Sequence, residues 1–240
     1  MIISILESLF HILLLVPLFL IGRLKNKADN YKPLVYFVFI YVLTNLILNS
    51  CSGIILFQGQ QWNWAGKCLA LAVEILFVLA ISPFPKSMFS ITKKVDWSGT
   101  TPLLILCFIY IVFRTGMYFT SGDASLQIHP ETTLYQATLP GLQEELFYRG
   151  ILLGLINAVF VHPGFSFLKI NFGLGTILTS LLFGLAHGLS INENLTFNMN
   201  FFVFARTTFD GFLFSLLTIK TKSLLPGIFY HNVLNLIGLH

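Results

Sequence analysis

Apolar residues along this chain come in long blocks, not in the short alternation of half-buried strands or the one-sided stripes of surface helices. A helix needs about 20 apolar residues to cross a bilayer. Eight blocks approach that length, at 2–22, 34–57, 67–84, 102–120, 138–161, 172–189, 199–219 and 223–239. The pattern predicts an all-α, polytopic membrane bundle of about eight transmembrane helices, the third and last of them short. The stretch 126–139 is mixed in character. It reads as an interfacial helix feeding the fifth span at Pro140, because proline suits a helix start. The first block is not a cleaved signal peptide, since it lacks a basic leading region and no small-residue cleavage site follows. No repeat or low-complexity tract divides the chain. It reads as a single transmembrane domain over 1–240, with four N-terminal spans (1–125) ahead of a 126–240 core.

Composition sharpens this reading. The 240 residues are 55% hydrophobic and only 10% charged, with a mean hydropathy of +0.80. Soluble domains carry roughly 25% charged residues, so this chain cannot furnish a soluble surface. With 25 Phe it is also far too apolar for disorder. Cys51, Cys68 and Cys107 are an odd, widely spaced set with neither disulfide-framework nor metal-type spacing.

The net charge of +4 does not point to nucleic acid, because the basic residues fall between apolar blocks. Arg23, Lys25, Lys27, Lys32, Lys86, Lys93, Lys94, Lys169, Lys220 and Lys222 all belong to odd-numbered loops. Only Lys67 falls on the even side, at a span edge. The positive-inside rule then makes the odd loops cytoplasmic and places both termini outside.

Charge at membrane depth is costly and marks function by default. Several such groups have structural explanations. Arg206 and Asp210, and likewise Glu7 and His11, are four apart on one helical face and can pair. Glu74 and Arg114 are expected to pair between helices. The run Glu144-Glu145-Leu146-Phe147-Tyr148-Arg149 is different. Adjacent positions point about 100° apart on a helix. Glu145 precedes Arg149 by four residues, the favourable order for an intrahelical ion pair. Glu144 is left without a local cation, and desolvation then suits it to act as a general base. Tyr148 falls four after Glu144, placed to hydrogen-bond on its side.

Two further spans carry unpartnered polar groups. Phe183 and His187 share a face, with Gly184 and Ala186 permitting close helix approach. His231 and Asn235 are again four apart. One shared site explains all three spans. The chain has no G-x-S-x-G elbow, no H-E-x-x-H and no phosphate loop, so water attack on a carbonyl remains. Glu144 and His187 would hold the water, and His231 and Asn235 would donate to the oxyanion.

The patterns Glu144-Glu145-x-x-x-Arg149, Phe183-x-x-x-His187 and His231-x-x-x-Asn235 resemble the motifs of the CPBP family. This is the family of CAAX proteases and bacteriocin-processing enzymes, also called the Abi family, and it contains the type II CAAX prenyl endopeptidases. The resemblance covers roughly 140–240. It implies an intramembrane endopeptidase in which Glu144 and His187 activate water and His231 and Asn235 bind the oxyanion. Glu145 and Arg149 support the site, with Tyr148 and Phe183 beside them. The family has been labelled metalloprotease, which makes Glu144, His187 and His231 candidate Zn2+ ligands. A glutamate-activated water needs no metal, and the spacing decides for neither; the metal-free reading is preferred.

The implied partners are membrane lipids and a membrane-bound peptide or protein substrate, lipidated or not, with no nucleic acid. The chain stops at His240, just after the third motif, so any additional span is expected at the N-terminus. The compact length looks like a bacterial member, which implies a bacterial cytoplasmic (inner) membrane as the location, with peptide maturation or bacteriocin self-immunity among the implied roles. The competing reading is a non-enzymatic membrane protein, either a proton-coupled transporter or a catalytically silent immunity or scaffold protein. The topology places Glu144 and His187 in the outer half or middle of the bilayer. Gly150 and Gly154 form a G-x-x-x-G pair that packs helices either within the bundle or between copies.

Overall fold

The computed structural model describes residues 2–25, 30–120, 129–160, 164–192 and 194–237. It is an all-α bundle. Helices α1 (Ile2–Lys25), α2 (Lys32–Ser50), α3 (Trp64–Leu76) and α4 (Thr101–Thr120) occupy the first four predicted blocks. A short helix α5 (Pro130–Gln136) leads into α6 (Leu139–Glu145), a π-helical segment (Leu146–Leu152) and α7 (Leu153–Val159), which together fill the fifth block. The last three blocks are α8 (Leu174–Gly188), α9 (Phe201–Thr221) and α10 (Leu225–Ile237).

Among the described residues five segments are long and apolar enough to cross a membrane: Ile2–Leu24, Lys32–Ser50, Trp64–Ile81, Thr101–Thr120 and Phe201–Thr221. The other three expected spans are a different matter. The fifth carries Glu144, Glu145 and Arg149, and α8 and α10 have 15 and 13 residues. At 1.5 Å per residue these last two reach only about 20 Å, less than a hydrocarbon core. They are packed among the longer helices, where protein replaces lipid around their polar ends. The second block also ends early, at Ser50, because Cys51–Gly53 turn the chain away.

The expected interfacial helix is α5, with Pro130 in its first turn. Its expected first residues, 126–128, lie outside the described residues. Two features were not expected. Two antiparallel hairpins, β1 (Phe165–Phe167) with β2 (Ile170–Phe172) and β3 (Leu189–Ile191) with β4 (Phe197–Met199), close the connections before and after α8. The fifth helix also widens into a π-helical turn directly after the paired glutamates. Such turns are rare and cluster at functional sites.

Local chemistry explains how the elements are held. Asn63 caps α3 by accepting from the Gly66 N–H, and its amide donates to the Leu48 carbonyl of α2. Asn200 caps α9 through the Val203 N–H. Helices α8 and α9 approach closely at glycines: a Cβ on Gly188 would fall 2.8 Å from the backbone N of Phe204. The G-x-x-x-G pair serves the interior. Gly150 and Gly154 face the carbonyls of Phe89 and Met88, in the 3-10 turn Lys86–Phe89.

Candidate active site

Glu144 lies at the end of α6, where α1, α2, α3 and α8 converge around a cavity of about 220 Å³. Its walls include Glu7, His11, Asn45, Lys67, Tyr148 and His187. This is the end of the bundle that carries the even-numbered loops.

Three of the four expected catalytic side chains meet there. His187 Nε2 stands 3.8 Å from Glu144 Oε2, and His231 Nε2 stands 3.7 Å from the same oxygen. Each imidazole is fixed through its other nitrogen. His187 Nδ1 is 2.8 Å from the Phe183 carbonyl, which can only accept, so Nδ1 carries the hydrogen. Neutral His187 therefore presents Nε2 as an acceptor. His231 Nδ1 lies 2.8 Å from Glu145 Oε1, and a carboxylate again calls for a donor there. Glu144 Oε2 is buried with no hydrogen-bond partner.

The second carboxylate is held by Arg149 at 3.1 Å, within one helix. Arg149 is fully buried and lies over the rings of Phe183 (4.4 Å), Phe214 (5.1 Å) and Tyr148 (5.5 Å). Gly211 leaves it room, since a Cβ there would sit 2.8 Å from Nη2. The rings of Phe183 and His187 are 4.4 Å apart, centre to centre.

The fourth residue stands apart. Asn235 lies one turn beyond His231 on α10, half-buried. It does not line the cavity, and no hydrogen bond to it is among those of the described residues. The asparagine of α10 with a visible task is Asn232, which accepts from the Gly141 N–H at 3.0 Å and donates to the Thr138 carbonyl. It anchors α10 on the start of α6, and so sets His231 against both glutamates.

Several expected partnerships are corrected. Glu144 is not without a cation, because Lys67 Nζ on α3 meets its Oε1 at 2.5 Å. Glu144 is therefore not an isolated carboxylate but one half of an ion pair between α3 and α6. Lys67 also donates to Gln143 Oε1 at 2.7 Å, and Gln143 passes its amide hydrogen to Glu74. Glu74 thus belongs to this network and does not pair with Arg114. Asp210 pairs with Arg114 at 3.2 Å and accepts from Tyr110 at 2.6 Å, leaving Arg206 out. Glu7 and His11 do not pair with each other either. His11 faces the Tyr41 hydroxyl at 3.0 Å. Tyr148 lines the cavity beside Glu144, and its hydroxyl also interacts with Tyr41.

Lys67, Gln143 and Asn232 escaped sequence reasoning. One signal was available for Lys67: it lies seven residues before Glu74, so the two share a helix face two turns apart. Which helix that face meets is a tertiary matter.

A zinc ion would draw on Glu144, His187 and His231. The site does not fit one well. The Lys67 ammonium already holds one oxygen of Glu144, so a divalent cation would lie beside a fixed positive charge. Among the described residues no three His, Cys, Asp and Glu side chains are arranged to hold a metal ion.

Residues 130–237, from α5 to the end of α10, match the family model described as Type II CAAX prenyl endopeptidase Rce1-like. The matched segment is a little under half of the chain and carries all three motifs. No curated protein and no solved structure matches the chain.

Proposed function

Starting from a C-terminal segment of type II CAAX prenyl endopeptidase character, we propose that this chain is an intramembrane endopeptidase that hydrolyses peptide bonds of membrane-associated substrates without a metal. The observation that carries the reading is the unpartnered Glu144 Oε2 facing two imidazole Nε2 atoms at 3.7 and 3.8 Å. Those gaps exceed direct hydrogen bonds but suit a shared water. A water there donates one hydrogen to Glu144 Oε2 and one to His187 Nε2, both acceptors, and turns a lone pair toward a substrate carbonyl.

The chemistry then follows. As the water oxygen bonds to the carbonyl carbon, its proton passes to Glu144. The oxyanion is stabilised by His231, which donates from Nε2 when doubly protonated while Glu145 holds Nδ1. Asn235 is the second proposed donor, once substrate draws α10 and the scissile bond together. Glu144 returns its proton to the leaving amine as the C–N bond breaks. Glu145 and Arg149 position His231. Lys67 fixes the Glu144 carboxylate through its Oε1. The site faces the outer half of the bilayer if the basic odd-numbered loops are cytoplasmic.

The test is Glu144→Gln in the purified full chain, offered membrane-anchored peptides with products read by mass spectrometry. Loss of a general base lowers turnover by about 10²–10⁴-fold, with the protein still folded by circular dichroism. Cleavage at the wild-type rate would end the mechanism. Absence of cleavage by wild type, with proton-coupled uptake in proteoliposomes, would turn the reading to a transporter.

A further inference from the structure

A second cavity, between α4 and α9, holds a cation that the proposed reaction does not use. The groove encloses about 370 Å³ and is lined by Tyr110, Phe113, Phe202, Phe209, Arg114 and Arg206 among others. It shares no lining residue with the cavity at Glu144. Among the described residues Asp210 is the acid that pairs with one of these arginines, and both its oxygens are taken, by Tyr110 and Arg114. Arg206 is left with no hydrogen bond or ion pair among the described residues, and its Nε is buried without a partner. Among the described residues the groove therefore carries two positive charges, Arg114 and Arg206, against one negative, Asp210.

Position and wall chemistry narrow what neutralises it. Arg206 is five residues from the start of α9 and Arg114 six from the end of α4. Both lie about 8–9 Å along their helices from the same bundle end, where a headgroup meets acyl chains. An unpaired arginine at such depth is costly unless an anion reaches it. Phe113, Phe202 and Phe209 are exposed on the outer, lipid-facing surface, so the groove opens sideways to lipid.

We propose that this groove binds an anionic phospholipid. Its phosphodiester pairs with the Arg206 guanidinium, whose planar fork matches phosphate oxygens. Its acyl chain lies against Phe113, Phe202 and Phe209. One net negative charge on the lipid complements the one uncompensated positive charge. A zwitterionic lipid brings no net charge, and free phosphate brings no chain for the aromatic walls.

Native mass spectrometry of the detergent-purified full chain tests this, with phosphatidylglycerol, phosphatidylcholine of the same acyl chains, or inorganic phosphate added. Wild type is expected to retain phosphatidylglycerol over phosphatidylcholine, with inorganic phosphate displacing neither. Arg206→Gln should weaken phosphatidylglycerol retention about fivefold and leave phosphatidylcholine unchanged, the loss expected for one basic contact. Arg206→Lys should keep most of the preference. Phe202→Glu, at an exposed position that folding tolerates, sets a carboxylate on the groove's lip and should also lower phosphatidylglycerol alone. Equal retention of the two lipids by wild type, an unaltered preference in Arg206→Gln or in Phe202→Glu, or displacement by inorganic phosphate overturns the proposal.

Discussion

Replacing Lys67 by methionine removes the ammonium while keeping most of the apolar stem. The perturbation falls on the contact that joins the N-terminal half of the chain to the candidate site: Lys67 Nζ is 2.5 Å from Glu144 Oε1, and both side chains are only 12% exposed. Unit charges about 4 Å apart interact by about 4 kcal/mol at an effective dielectric of 20. Breaking one side of a buried pair costs about 3–5 kcal/mol, because the survivor is left uncompensated. Here neither side chain is completely enclosed, so residual solvent offsets part of that cost.

The expected loss for Lys67→Met is therefore about 2–4 kcal/mol of unfolding free energy. Glu144→Gln strands Lys67 and should cost a comparable amount. The double variant removes both charges and should lose little beyond either single change, giving a coupling of about 2 kcal/mol or more. Unfolding in mixed micelles with a rising fraction of denaturing detergent, followed by circular dichroism, measures all three. The readout needs no enzymatic activity, so it is independent of the proposed reaction. Additive losses, with a coupling below about 0.5 kcal/mol, would refute the ion pair and the placement of α3 against α6.

Two other substitutions probe separate links. Asn235→Ala should lower turnover by about 10²–10³-fold if its amide serves the oxyanion, with unfolding unchanged; wild-type turnover in steady-state peptide cleavage would remove Asn235 from the mechanism. Gly188→Ala should destabilise the α8–α9 contact by about 1–3 kcal/mol, because the new Cβ meets the backbone of Phe204, which cannot rotate aside. A melting temperature equal to wild type would mean that the two helices separate there without cost.

Much of the architecture could be read from the chain alone, for a simple reason. In lipid every backbone polar group must be satisfied within its own segment, so an apolar block of span length becomes a helix almost regardless of its neighbours. The eight blocks became eight helical stretches. The intrahelical spacing Glu145 to Arg149 is likewise local, and the 3.1 Å ion pair follows from it. The three motifs were legible because polar groups are rare against so apolar a background.

What local pattern could not supply was the pairing between helices. Lys67 looked like a span-edge orienting charge, and Glu144 looked isolated, because the contact between them crosses 77 positions of sequence. Asp210 took Arg114 from α4 and not Arg206 from its own helix, since the packing of α4 on α9 brought the former within 3.2 Å. The sequence by itself determined an all-α membrane bundle and the residues with chemistry to spare. Only the tertiary structure decided which of them face one another, because charges in a low-dielectric interior are assigned by the distances that packing sets. It left Glu144 with an ammonium on one oxygen and two imidazoles facing the other.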